Sequence, residues 1–177
     1  VVFQLTASPL ATVSGRIADA SGQPVKPTRL WLLQTYGDDV RAFILALGSA
    51  TAEGRFEFRN VPAGTYVLQA VSSGGPAGVG FGGARITVDG HAVSDVAVTT
   101  TAGATARGHI TFEGAASAPS PESIRISVRP VDFVSSPAMG VGLAPSRVNS
   151  NGTFEAARNF GRGVLRVDAP APWALKS

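Results

Sequence analysis

The chain of 177 residues contains no cysteine, and this absence excludes three kinds of chemistry. Disulfide scaffolds, metal sites built on thiolates and cysteine nucleophiles all need a residue that the sequence lacks. Charged residues make up only 15% of the chain, too few for a charged disordered tail. The sequence therefore predicts a chain that folds by burying apolar side chains, with enough length for one or two domains.

Long apolar runs and basic runs are also absent. The longest apolar stretch, Ala42 to Leu47, is far shorter than the roughly 18 residues of a membrane helix, so we expect no membrane insertion. The net charge of +3 comes from arginines and lysines that are scattered singly, so we expect no nucleic-acid partner. The chain starts without methionine or a basic leader region, and we expect a mature or excised segment.

Short alternating segments dominate what is present. Apolar residues recur at every second position in runs of about four to seven residues, bounded by glycine, proline, serine or asparagine. Val13 to Ile17, Tyr66 to Ala70 and Ile124 to Val128 are examples. This pattern predicts an all-β chain of antiparallel strands. Residues 39–49 fit a short helix or an inner strand because their apolar residues are consecutive, and we favour a strand.

Three segments in the first half of the chain recur, in the same order, in the second half. The matching pairs are Val13–Ile17 with Ala106–Ile110, Gly54–Phe58 with Gly152–Ala156, and Gly64–Leu68 with Gly163–Val167. An internal repeat of this length indicates tandem copies of one structural unit. We therefore predict two β modules, at residues 9–101 and 102–177.

The two ends of the chain fit the same repeat. The strand expected to close the first module, Ser94–Val98, has a counterpart at the start: Val1, Val2, Phe3, Gln4 and Leu5. Residues 1–8 are therefore predicted to be the closing strand of a preceding module, or a donor strand for another copy. The second module is expected to lack its closing strand. Donation between copies would build a fibre, whereas truncation of a longer chain explains the same ends.

Gly15–Val25, followed by Glu53–Leu68, resembles the carboxypeptidase regulatory-like domain. The second module matches more loosely, because Asn159–Gly163 stands where that family has a turn of the Pro-Gly-Tyr type. The resemblance implies two tandem transthyretin-like (Ig-like) antiparallel β-sandwich modules. It also implies a non-catalytic spacer, docking or stalk unit of a larger exported bacterial protein, located outside the cell, on its surface or in the periplasm. Neighbouring modules or other copies are the partners expected.

Residues that could carry catalysis or bind a cofactor are few. Gly78–Gly83 matches a nucleotide-binding pattern, but a strand follows it where such a site needs a helix N-terminus. His91 and His109 are the only histidines, and neither lies in a catalytic motif. Asp38 and Asp39 lack the alternating carboxylates of a calcium loop. We expect no enzyme, no cofactor and no metal.

Trp31 and Tyr36 are the candidate ligand or partner surface. If Leu30 and Leu32 face the core, Trp31 faces outward from the same strand, with Tyr36 in the adjoining loop. An exposed tryptophan beside a tyrosine can stack on sugar rings or contact an apolar partner. A carbohydrate-binding accessory module that positions an attached enzyme or adhesin is therefore the alternative function. The other interpretation is that Trp31 packs against the neighbouring module.

Overall fold

The computed structural model describes residues 2–4, 7–36, 41–75, 78–114, 117–132, 134, 137 and 145–176. Their regular structure is β apart from a three-residue 3-10 helix at Pro121–Ser123, which confirms the all-β prediction. The strands are β1 (Leu10–Asp19), β2 (Arg29–Tyr36), β3 (Arg41–Gly48), β4 (Arg55–Pro62), β5 (Gly64–Gly75), β6 (Gly78–Val88), β7 (Val93–Thr100), β8 (Ala104–His109), β9 (Arg125–Pro130), β10 (Ser146–Arg147), β11 (Thr153–Asn159) and β12 (Gly163–Asp168).

Strands β1 to β7 form a β-sandwich of two sheets. One sheet has the order β4-β1-β7 and the other has the order β3-β2-β5-β6. Alternation places Phe56 and Phe58 of β4 in the core while Arg55 and Glu57 face water. The opposite sheet contributes side chains such as Leu32 and Leu68 to the same core, and these are fully buried. The alternating pattern of the sequence thus becomes the two inner faces of a sandwich.

Tyr66 of β5 is a polar side chain placed inside this core. The residue is fully buried, and its hydroxyl donates a hydrogen bond to the carbonyl of Pro62 at 2.7 Å. Burial raises the pKa of the Tyr66 phenol. Because the hydroxyl has a partner, the ring contributes apolar contact without leaving an unsatisfied polar group.

The second half of the chain builds a smaller set of sheets. β8 pairs with β11, and β9 lies between β10 and β12. The side chains of Ile124, Ile126, Val148 and Ala156 form a buried cluster of their own. Among the described strands, β11 is the sole ladder partner of β8, and β9 is the sole partner of β12. In the first half, by contrast, β1 and β5 each lie between two strands.

One hairpin geometry occurs in both halves. The turns end at Gly54 and Gly152, whose φ values are +72° and +82°. The amide of each glycine donates to the carbonyl three residues before it, at 3.0 Å and 2.9 Å respectively. The strand after each turn pairs with the first strand of its half, and there a glycine lies opposite a phenylalanine: Gly15 opposite Phe56, and Gly108 opposite Phe154. The first two matched pairs of segments therefore occupy equivalent ladder positions.

The segment at residues 39–49 differs in part from expectation. Residues 41–48 form β3, a strand as favoured, but this strand lies at the edge of its sheet and not inside it. Phe43 and Leu47 are 64% and 74% exposed. A run of consecutive apolar residues does not distinguish an inner strand from an unprotected edge, because both lack polar alternation.

Gly15 permits the contact between β1 and β7. The parallel ladder of these strands shifts register between Val13 and Gly15, and the bulge brings β7 unusually close. A Cβ atom added at Gly15 would lie 2.0 Å from the carbonyl oxygen of Val96. At the equivalent position in the second half, the three atoms nearest to a Cβ added at Gly108 all belong to the ring of Phe154, the first at 2.6 Å.

We predict that Gly15→Ala lowers the free energy of unfolding by about 3 kcal/mol, since the backbone of β7 must move to admit the methyl group. Gly108→Ala is the matched control and is expected to cost less, because an aromatic side chain can turn away from the added carbon. Urea denaturation followed by circular dichroism measures both. Equal losses in the two variants would contradict the close approach at Gly15.

Candidate functional site

An apolar contact joins the first sandwich to the second half of the chain. It lies on the outer face of the β3-β2-β5-β6 sheet, and each of its side chains is no more than 6% exposed. Its members are Trp31 and Leu33 of β2, Val71 of β5, Phe81 of β6, and Phe160 from the segment between β11 and β12. We call this group the Phe160 contact.

The sequence of β2 explains why the outer face of this sheet is apolar and must be buried. Leu30 and Leu32 point into the sandwich, so the intervening Trp31 and the following Leu33 point outward. A strand that is apolar on both faces is stable only when both faces are buried. Arg29 lies with its guanidinium carbon 6.0 Å from the centre of the Trp31 ring and adds a cation–π contact.

The local backbone around Phe160 presents its ring to that face. Arg158, two residues before Phe160, and Gly161, directly after it, have positive φ values of 62° and 75°, so the backbone leaves the extended conformation here. The Phe160 ring centre lies 5.1 Å from that of Phe81, with the planes inclined at 56°. This tilted geometry is favourable for two aromatic rings. The ring of Phe160 thus covers part of the outer face of the sheet.

A second contact between the halves lies nearby. A Cβ added at Gly83 of β6 would be 2.4 Å from the carbonyl oxygen of Val134. The backbone of the second half therefore approaches β6 at a position where only glycine leaves room. Together with Phe160, this gives two points of contact on the same sheet.

Trp31 is 4% exposed and packs against Phe160 of the second half, so it does not form an open surface. Tyr36 is 52% exposed and packs edge to face against Phe43, with ring centres 6.0 Å apart. Trp31 and Tyr36 are five residues apart on one strand, so alternation sends them to opposite faces. The structure does not bring the two aromatic residues together on one open surface.

Sequence reasoning missed Phe160. The available signal was the departure of Asn159–Gly163 from the turn that the resemblance implies, since a large apolar residue in a turn otherwise faces water. Without the tertiary structure, nothing indicated which surface the ring would meet.

The two histidines lie apart on the surface. His91 has a side chain that is 87% exposed, and both its backbone amide and its ring contact Asp89 at 3.1 Å. The hydrogen bond from the backbone amide of His91 is the main cause of a lowered pKa of the Asp89 carboxyl, and the contact with the His91 ring is the second cause. His109 contacts the carbonyl of Asn151 at 3.0 Å. Neither histidine has a nucleophile or a second base among these partners.

No group of three or more potential metal-ligating side chains occurs within the part of the chain that the structure describes. Asp38 and Asp39 lie outside those residues. Gly78–Gly83 belongs to β6, so this glycine-rich segment precedes no helix N-terminus.

The predicted donor strand is described only at residues 2–4. These three residues form no strand, and Val2 and Phe3 are 96% and 84% exposed, while Val1 and Leu5 lie outside the described residues. A potential acceptor is β8, whose second edge carries no described strand. Beside its end, a cleft of about 600 Å³ is lined by side chains that include Phe112 and Trp173, whose ring centres are 5.2 Å apart.

No family model matches this chain. No curated protein matches it either. The resemblance to the carboxypeptidase regulatory-like domain thus rests on the sequence motifs alone. Within the described residues, no helix has the length and apolar character that crossing a membrane requires.

Several solved structures are distantly similar. A proposed carbohydrate-binding protein from Pseudomonas aeruginosa is 19% identical, with a TM-score of 0.37, over 52% of this chain and 89% of that chain. A DUF3823 family protein from Parabacteroides merdae is 14% identical, with a TM-score of 0.40, over 92% and 81% of the two chains. A streptococcal ancillary pilin is 9% identical, with a TM-score of 0.40, over 94% and 61%.

We predict that Phe160→Ala uncovers Trp31 and lowers the free energy of unfolding by about 3 kcal/mol, since a buried ring is lost. The variant is best made in a Trp173→Phe background, so that Trp31 is the only tryptophan. Its fluorescence should then shift to the red. Leu165→Ala, which truncates an apolar side chain that is 47% exposed, should leave the spectrum unchanged. An unshifted spectrum for Phe160→Ala would contradict the contact.

Proposed function

We propose that the chain is a non-catalytic structural unit of a larger exported bacterial protein, in which two β modules form a stiff spacer or docking element. The modules are those at residues 9–101 and 102–177. The observation that carries this proposal is the Phe160 contact, which buries an apolar sheet face of the first half beneath a side chain of the second. A spacer needs a fixed angle between its parts, and a buried contact supplies it.

The arrangement of the polar residues supports a role without catalysis. His91 is paired with Asp89 on the surface, and His109 contacts a backbone carbonyl. A general base needs a substrate-binding cleft and a group that it can activate within hydrogen-bond reach. His109 lines the cleft of about 600 Å³ beside β8, but its hydrogen-bond contact is a backbone carbonyl, which it cannot activate. His91 lies on the open surface. The burial of Trp31 argues against the carbohydrate-binding alternative, because a buried ring cannot stack on a sugar.

The spacer proposal predicts that the two halves tumble as one body. ¹⁵N relaxation should give the same rotational correlation time for amides of β1 to β7 and for those of β8 to β12. In Phe160→Ala the two values should separate, because the main apolar contact is removed; in Leu165→Ala they should stay equal. Independent tumbling of the unmodified chain would overturn the proposal.

Strand donation is the finer form of this proposal. In the first half, β7 pairs in parallel with β1 and places Val96 beside Gly15 and Val98 beside Ile17. The sequence match between residues 1–5 and Ser94–Val98 would put Phe3 of another copy beside Gly108 on the free edge of β8. An exposed sheet edge readily accepts a strand from another chain. Because this contact joins unlike surfaces, it would repeat from copy to copy.

Donation predicts open-ended assemblies that depend on one face of residues 1–5. By analogy with β7, Phe3 would face the core and Val2 would face water, as Val96 and Asp95 do. Phe3→Asp should therefore abolish species larger than a dimer in light scattering, whereas Val2→Asp should retain them. A chain that forms no such species at high concentration, or whose assemblies survive Phe3→Asp, would sink the donation mechanism while leaving the spacer proposal intact.

A further inference from the structure

The outer face of the β4-β1-β7 sheet carries a cleft of about 950 Å³ that the proposed spacer role does not use. Because Phe56 of β4 points into the core, its neighbours Arg55 and Glu57 point outward, and both line the cleft. The Phe160 contact lies on the other sheet of the sandwich, so the cleft is separate from the junction between the two halves. β1 lies in the middle of this face, paired with β4 on one side and with β7 on the other.

Two arginines lie side by side in the cleft. Arg16 of β1 pairs with Arg55 of β4 in the antiparallel ladder, so their Cβ atoms are about 5 Å apart. Both residues are exposed, and among the described residues neither guanidinium has a hydrogen-bond or ion-pair partner. Like charges directly opposite each other on a sheet are destabilising. Such a pair breaks a local rule of sheet stability, as functional sites do, and a bound anion would relieve the repulsion.

The carboxylates near the arginine pair do not neutralise it. Glu57, two residues after Arg55 on the same face, forms an ion pair with Arg59. The pKa of the Glu53 carboxyl is lowered mainly by the hydroxyl of Thr51, and the charge of Arg55 is a smaller cause. Neither carboxylate forms an ion pair with Arg55, so an anion from outside can lie between the two guanidinium groups.

A bulge in β7 brings one more carboxylate into the cleft. The ladder between β1 and β7 shifts register at Ser14, which lies opposite two residues of β7, Ser94 and Asp95. Asp95 has a positive φ of 59°, and it lines the cleft together with Ser14. Ser14 and Arg16 share the outer face of β1 by alternation. The cleft therefore presents a hydrogen-bond acceptor and a hydroxyl beside its two cations.

We propose that this cleft binds an acidic carbohydrate, with the carboxylate of a uronic acid residue held between Arg16 and Arg55. Guanidinium groups bind carboxylates through paired, charge-assisted hydrogen bonds. Asp95 accepts hydrogen bonds from the sugar hydroxyls, and Ser14 can donate to them or accept from them. This binding goes beyond the spacer role, and it does not use the buried Trp31.

The lining of the cleft favours an acidic sugar over other ligands. Phe56, the one aromatic residue among the described lining residues, is 5% exposed, so a neutral sugar has no ring to stack on. A peptide that binds by strand addition needs an unpaired edge, whereas β1 is paired along both sides. A simple inorganic anion would use the arginines but not Asp95. A ligand with both carboxylate and hydroxyl groups matches all of these side chains.

NMR titration of the ¹⁵N-labelled chain with trigalacturonate tests the site. Saturable shifts are expected for amides of β1, β4 and β7 that line the cleft, and none for amides of β8 to β12. The affinity should fall as salt is added, because the cleft is open to solvent. The fully methyl-esterified trisaccharide, which is uncharged, should bind about tenfold more weakly or not at all. Absence of saturable shifts, or equal binding of the neutral ester, would overturn the proposal.

Single substitutions test the arginine pair. Arg16→Gln and Arg55→Gln should each weaken trigalacturonate binding about tenfold or more, because each removes a charged hydrogen-bond donor. Arg166→Gln is the matched control: this half-exposed arginine of β12 pairs with Asp168, and its loss should leave the affinity unchanged. The melting temperature of the two cleft variants should not fall, since each relieves a contact between like charges. Unchanged affinity in the cleft variants would contradict the site.

Acidic peptides and simple anions are the competing ligands. Triglutamate has the same net charge as trigalacturonate at neutral pH but lacks sugar hydroxyls, and it should bind about tenfold more weakly. Inorganic sulfate supplies charge alone and should also bind more weakly. Equal affinity for triglutamate would assign the cleft to acidic peptides, and equal affinity for sulfate would assign it to simple anions. Either result would refute the carbohydrate proposal and leave the spacer proposal, which rests on Phe160, intact.

Discussion

The burial of both faces of β2 is the constraint on which the rest of the molecule depends. One face of this strand completes the core of the first sandwich, and the other carries Trp31 and Leu33 into contact with Phe160. A strand with two apolar faces cannot rest stably against water on either side. The second half of the chain therefore stabilises the first, because its Phe160 completes the burial of the outer face of β2.

The same constraint accounts for the surfaces that stay open. Phe160 covers the middle of the outer face, above β2, β5 and β6, but does not extend over β3. In the second half, β8 and β12 each have one edge without a described strand. The matching strands of the first half, β1 and β5, have strands on both sides. Open strand edges and exposed apolar side chains occur together at β3 and β12, and such edges can pair with another chain.

Sequence periodicity was sufficient for the class of fold and for the details of the hairpins. Alternation in Arg55–Phe58 predicts which side chains enter the core, and positive φ at Gly54 and Gly152 follows from the turn residues themselves. These features are local, since a strand and its turn are specified by neighbouring residues. The match of Gly15 with Gly108 was also visible in the sequence, although the reason for Gly15 was not. That reason is the carbonyl of Val96, about 80 residues along the chain.

Sequence alone determined that this is an all-β chain built on apolar alternation and tight turns, and it indicated where the repeated segments lie. Tertiary structure alone decided that Trp31 is covered, that Tyr36 is on the opposite face, and that the apolar strand β3 is an edge. The physical reason is that alternation fixes the face on which a side chain lies but not what packs against that face. What packs there depends on contacts between residues far apart in the chain, such as Trp31 and Phe160.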